Sequence, residues 1–255
     1  MSLIPFWYGA STEDKVMKIK QPSIGVEIIG KIPSLGVTKY IRNGTVVTRV
    51  STSEGRRSNS RGQFIQRQRM RHSIALWKEL SRWSPMFTEG KTAYHSFLSL
   101  ANRLPVVYMP KNKDSVEGSL LMPGIPVSEG SLSPIQQRLG DVDGTPALIT
   151  DRQASEVRPF EVFLLYTAEQ QFLREDCPKV SFMMREVKRE EFTVVDGCLA
   201  LLGDEFANEM KGWALVRVMG KNCSTQSIVT HCKYHERYTS EEALEAAAKS
   251  YGGLK

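Results

Sequence analysis

Cys223, His231, Cys232 and His235 fall within thirteen residues, and zinc takes Cys and His ligands. The spacing works against a shared ion. If Ser227 to Lys233 is a strand, successive side chains point to opposite faces, so His231 and Cys232 cannot hold one metal. Packing of the cysteines as small apolar residues is the better reading, and neither a metal nor another cofactor is expected. A cysteine nucleophile paired in space with His72, His95, His231 or His235 is the next chemistry to weigh, but no local sequence marks a thiol as activated. Asp141 with Asp143, and Glu190 with Glu191, sit near glycine or at a strand start and read as turn and rim residues. No phosphate-cradling glycine loop of either standard spacing occurs. No catalytic residue is assigned, so neither an enzyme nor a small-molecule substrate is expected.

The elements that would carry these residues change character along the chain. Ile24 to Ile29 reads as a short strand. Val37 to Arg42 and Thr45 to Val50 are β-branched runs around Asn43-Gly44, which supplies the two positive φ angles of a type I′ turn. Residues 51 to 59 are polar and aperiodic and read as an exposed arm. Ser60 with Gln63 has the form of a capping box. It opens a helix over about 61 to 83 with an apolar stripe through Phe64, Met70, Ile74 and Trp77, and with Ser73, Leu76, Leu80 and Trp83 alongside. Trp77 and Trp83 could stack bases, but their place on this stripe favours core packing. A second helix fits Lys91 to Arg103, and the two would form a helical hairpin.

After Pro105 the pattern is β. The candidate strands are Val106–Met109, Ala147–Thr150, Glu161–Thr167, Val180–Arg185, Phe192–Leu202, Trp213–Met219 and Thr225–Cys232. Consecutive strands without long intervening helices favour an antiparallel sandwich. Lys111 to Gly144 is too long for a tight connection, so it is either a functional loop or holds irregular short strands. Thr239 with Glu242 predicts a second capping box, opening a C-terminal helix that Gly252 closes. The fold expected is α+β and mainly β. An N-terminal β-hairpin and a helical hairpin (1–104) would pack beside an antiparallel Ig-like β-sandwich ending in a helix (105–255).

Charge is the sharpest feature. Between Arg42 and Arg82 ten Arg or Lys face two acids, Glu54 and Glu79, a local charge of +8 in a chain whose total is +6. The other 214 residues therefore carry −2. A local excess asks for an anionic partner or an acidic docking surface. Arg61, Arg67, Arg69 and Arg71 crowd the N-terminal half of the predicted helix, where the dipole makes a first-turn cation unfavourable by a few tenths of about a kcal/mol. Arg67 and Arg71 share a face. With Arg49, Arg56, Arg57, Arg61 and Arg69 they are the candidate partner-binding residues, either for a protein surface, including a second copy of the chain, or for nucleic acid. No RNA- or DNA-binding module signature accompanies them.

The segment from Arg49 through Arg56-Arg57-Ser58-Asn59-Ser60 and Gln63 to Arg67 or Arg71, Ile74 and Trp77–Leu80 resembles a large family of uncharacterised proteins from Bacteroidetes and their prophage-like elements. A related pattern is similar to phage-associated proteins with an Asn-Pro-Arg-Thr arm before a Gln-rich helix, although no proline stands at 58–61 here. Gly212 to Val218 and Cys223 to Thr230 resemble that family's paired late strands. The resemblance implies an accessory or structural protein of a mobile element, with no catalytic residues to carry over.

The ordinary apolar and charged fractions, 41% and 24%, fit a soluble globular protein. No run is apolar enough for a membrane helix, and the apolar start, Met1 to Ala10, lacks the flanks of a secretory signal. It reads as a packed strand or as a tip offered to a neighbouring subunit. Four cysteines are few for this length and indicate a reducing compartment. The expected location is the cytoplasm or a virion-like particle, without membrane insertion.

Overall fold

The computed structural model describes residues 60–87, 92–111, 118–174 and 177–254, together with short strands between 17 and 50. The compact units are 1–57 and 58–255. The first holds one antiparallel sheet of β1 (Met17–Lys18), β2 (Gly30–Ile32), β3 (Val37–Arg42) and β4 (Thr45–Val50), in the order β1-β4-β3-β2. β3 and β4 pair from Val37↔Val50 to Arg42↔Thr45, the register that a two-residue Asn-Gly connection dictates. The strand expected at Ile24–Ile29 and the apolar start lie outside the described residues.

The second unit runs through α1 (Arg61–Leu80), β5 (Met86–Phe87), α2 (Ala93–Ala101), β6 (Pro126–Glu129), β7 (Gln137–Val142) and β8 (Thr145–Gln153). It continues with β9 (Val162–Arg174), β10 (Cys177–Val187), β11 (Phe192–Val195), β12 (Cys198–Leu202) and β13 (Lys211–Met219). The short strands β14 (Asn222–Cys223), β15 (Gln226–Ser227) and β16 (Val229–Thr230) precede α3 (Glu236–Thr239) and α4 (Glu241–Ser250). The protein is α+β, and its sheets are largely antiparallel.

The sheet β10-β9-β13-β14 is buried on both faces. Period-two alternation sends Phe163, Leu165, Trp213 and Leu215 to one side and Tyr166, Ala168, Ala214 and Val216 to the other. The first set meets Leu148, Leu199 and Leu201 of the sheet β11-β12-β8-β7, which gives the sandwich. The second set meets Leu76 and Leu80 of α1 and Phe97 and Ala101 of α2. This explains why β13 is a continuous buried run rather than an alternating one. Residues on both sides of 104/105, Phe97 and Leu104 with Val107 and Tyr166, belong to one buried cluster, and the division into compact units falls after Arg57.

Gly212 is fixed by the close approach of β16: a Cβ there would lie 2.5 Å from Ile228 Cγ2 and 2.9 Å from Thr230 Cβ. The stretch 111–144 holds real structure. Leu120, Leu121, Met122, Ile125 and Val127 are buried, and β6 and β7 lie within it. Val106–Met109 is not a strand, although Val107 and Met109 are buried. Phe192–Leu202 is two strands, because Asp196 and Gly197 turn the chain with φ of 51° and 80°.

α1 corrects the expected stripe. Its buried face adds Gln68, His72 and Glu79 to the expected Phe64, Ser73, Leu76 and Leu80, while Ile74 is exposed. The buried polar groups have partners that periodicity cannot see. Gln68 Oε1 accepts from Met109 N at 3.3 Å, and His72 Nε2 lies 3.2 Å from Leu120 N. Glu79 meets Arg82 at 2.8 Å and Lys179 at 3.2 Å. Ser60 stands at the N-cap without a side-chain capping bond. At α4 the cap is Ser240, whose Oγ accepts from Ala243 N at 3.2 Å, one residue beyond the expected Thr239.

Candidate functional site

The Cys/His group does not converge. Cys223 is buried in β14, and its thiol faces the carbonyls of Met86 and Glu129 at 3.5 and 3.6 Å. Burial, helped by the nearby Glu129 carboxylate, pushes that thiol up to about 11. Cys232 is buried and its pKa is also raised by burial. His231 beside it is exposed, the opposed placement expected from the spacing, although the backbone at 231–233 is not a strand. Among the described residues no three His, Cys, Asp or Glu are grouped to hold a metal. His95 Nδ1 sits 2.5 Å from Thr92 Oγ1 at the start of α2. Asp143 occupies the β7–β8 turn with φ of 50°. Glu191 accepts from Lys188 N at 2.8 Å and pairs with Arg185 at 2.6 Å, and these bonds hold its carboxyl below the usual range. Trp77 packs against Phe87, Tyr94 and Phe97, as a core residue does.

The candidate cations have separate surroundings. Arg49 is exposed on β4, while Arg56 and Arg57 lie outside the described residues. Arg61 pairs with Glu241 at 2.5 Å, and Arg71 lies over the Tyr251 ring, 4.9 Å from its centroid. Both therefore face the C-terminal helical segment. Arg67 is exposed, with Nη2 3.5 Å from Gln63 Oε1. Arg69 is two positions from both Arg67 and Arg71, about 200° around the helix, and is half-buried. The Arg61–Glu241 pair is more than half exposed on both sides. Arg61→Ala is expected to cost under about 1 kcal/mol in urea denaturation, since exposed pairs contribute little. A loss several times larger would show that the pair anchors α4.

Sequence reasoning missed a buried ion network. Glu161 has a fully buried side chain. It pairs with Arg217 Nε through one oxygen, and through the other with Arg152 Nη2 at 3.3 Å and Arg158 N at 3.1 Å. Arg152 also binds the Glu156 carboxylate at 2.6 Å and its carbonyl at 2.7 Å. Arg189 donates to the Arg158 carbonyl, and Glu161 N closes the turn onto the same oxygen at 3.1 Å. Phe160 stands at the tip of this clamped turn, 80% exposed. The sequence reading placed Glu161 only as the start of the expected strand Glu161–Thr167, and the strand itself begins at Val162.

Two clefts open on the sandwich. One, of about 950 Å³, is lined by Pro123, Pro146, Phe206 and Cys232, with Asp141, Glu209, His231, Lys233 and Glu236 around them. The other, of about 870 Å³, involves Arg138, Ile149, Asp151 and Cys198. No helix among the described residues is long and apolar enough to cross a membrane. Compared with known protein families, curated proteins and solved structures, the chain matches none.

Proposed function

We propose that this chain is a non-enzymatic structural protein that assembles with copies of itself or into a larger particle, docking through the basic segment 42–82. The observation that carries the reading is the charge of α1. Within the helix Arg61, Arg67, Arg69, Arg71 and Lys78 meet one acid, Glu79, while Arg61 is paired with Glu241 of α4, and the first turn holds no acid to complement the dipole. Arg67, Arg71 and Lys78 are exposed. A helix selected for stability alone would balance these cations with carboxylates one turn away, so the excess supports an anionic partner surface. The buried, protonated thiols of Cys223 and Cys232 support a non-catalytic role. A mobile-element particle is the setting that the resemblance implies, and the cytoplasm or that particle is the location that goes with it.

Sedimentation across a wide concentration range tests the reading. Species well above 28.7 kDa are expected, and Arg56, Arg57, Arg67 and Arg71 changed together to Ala should shift them toward monomer. A strictly monomeric parent overturns self-assembly. A mobility shift with DNA or RNA would assign the segment to nucleic acid instead, if that shift weakens with salt by about one unit of logarithmic slope per phosphate neutralised and is lost in the same variant.

A further inference from the structure

We infer that copies of this chain join head to tail, with Phe160 of one copy entering the cleft floored by Pro146 and Phe206 of the next. The inference rests on the self-assembly reading above but uses residues outside the basic segment. Phe160 is the most exposed of the large hydrophobic side chains described. A single exposed aromatic is ordinary on a protein surface; a rigidly presented one is not. The turn that carries it is tied by the Glu161 carboxylate to Arg158 N, Arg152 and Arg217, and by Arg189 to the Arg158 carbonyl. An aromatic anchor held this way gives up little conformational freedom on docking, which raises affinity for a given contact area.

The receptor is on the same chain. The cleft of about 950 Å³ has an apolar floor that includes Pro146, Phe206 and Cys232, and its volume falls in the range of pockets that take a ring. Its rim carries Asp141, Glu209 and Glu236, all exposed, against Lys233. Arg158 and Arg189, both exposed, flank Phe160. The acids of the rim and the arginines flanking the knob are therefore complementary in charge, which steers association and fixes register.

Strand register sets the two at opposite ends of β13. Phe160 precedes Val162, which pairs with Val218 at one end of β13. The cleft includes Thr230, which pairs with Gly212 at the other end, opposite Ala168. Six residues of strand separate Val162 from Ala168, about 20 Å. A knob and a hole at opposite ends make a heterologous contact, which propagates as a filament or closes as a ring.

The experiment uses the full chain. In sedimentation, F160D is expected to raise the concentration needed for assembly by about thirtyfold, the effect of losing one interface hot spot, while its far-ultraviolet circular dichroism stays that of the parent. R158C, which keeps Phe160, and E209C, each in a Cys198→Ser background, are expected to form a disulfide-linked heterodimer on mixing and oxidation. If the parent assembles and F160D assembles at the same concentration, or the mixed cysteine variants yield no heterodimer, the head-to-tail contact is overturned while self-assembly stands. A monomeric parent overturns both.

Discussion

Glu161→Ala is expected to melt about 10 °C below the parent protein. Removing one partner of a buried ion network leaves the others as uncompensated charges, at a cost of about 3–5 kcal/mol. For a body of this size each kcal/mol corresponds to about 2–4 °C. The Glu161 side chain is fully buried between Arg217, 11% exposed, and Arg152, 15% exposed. Without the carboxylate, the Arg217 guanidinium loses the counter-charge it is paired with, and Arg152 keeps only the more exposed Glu156. The Arg158 N–H loses its acceptor as well. Thermal melts by circular dichroism at pH 7 measure the effect. Glu161→Leu combined with Arg152→Met and Arg217→Met should recover much of the loss, because apolar replacement of a whole network is often neutral or stabilising. A single-variant loss under about 1 kcal/mol would mean that water reaches the network. The same change should free the Phe160 turn, so assembly is expected to weaken at temperatures where the variant is still folded.

Folding stability should fall by about 3 kcal/mol as pH drops from about 6.5 to about 4 on account of His72 alone. Burial pushes this imidazole down to about 4, against a smaller opposing pull from the Leu120 backbone. The unfolded chain takes up a proton at this residue below pH 6.5, and the folded chain cannot do so until about pH 4. In that window the unfolded state binds more protons and gains stability relative to the folded one. Above pH 6.5 both states are neutral at His72 and its contribution is fully present; below about pH 4 both are charged and the loss levels off. His72→Gln removes the titration while leaving a polar group toward Leu120. Urea midpoints of parent and variant, compared at pH 7, 5.5 and 4.5, isolate the residue from the carboxylates that also protonate. Parallel pH profiles for the two proteins would show that His72 is hydrated in the folded state.

Local chemistry was legible in this chain wherever it was strong. Asn43-Gly44 between β-branched runs matched the β3–β4 register, in which Arg42 pairs with Thr45, because a two-residue connection fixes which residues face each other. The same chemistry at Asp196-Gly197 was equally readable, yet a continuous apolar count concealed it. The strands around Ala147, Glu161, Val180 and Trp213 were found, but β9 and β10 run well past their apolar cores. Their outer rungs depend on pairing with each other rather than on side-chain type. Ser240 displaced Thr239 as the cap of α4 because Thr239 instead donates to the Glu236 carbonyl, closing α3.

The candidate site divides along the same line. The charge excess between Arg42 and Arg82 is a property of the sequence, since every guanidinium there is charged wherever it lands. Where each one faces was decided only by packing. Arg61 finds Glu241, which is 180 positions away, and Arg71 finds Tyr251. The burial of Glu161, His72 and Gln68 carried no sequence signal, because a polar residue is buried only when a distant segment brings it a partner. Here those partners are Arg217, Leu120 and Met109. Turn type, strand alternation and net charge follow from neighbours along the chain. Desolvation and the pairing that offsets it follow from neighbours in space, and the folded structure alone supplies those.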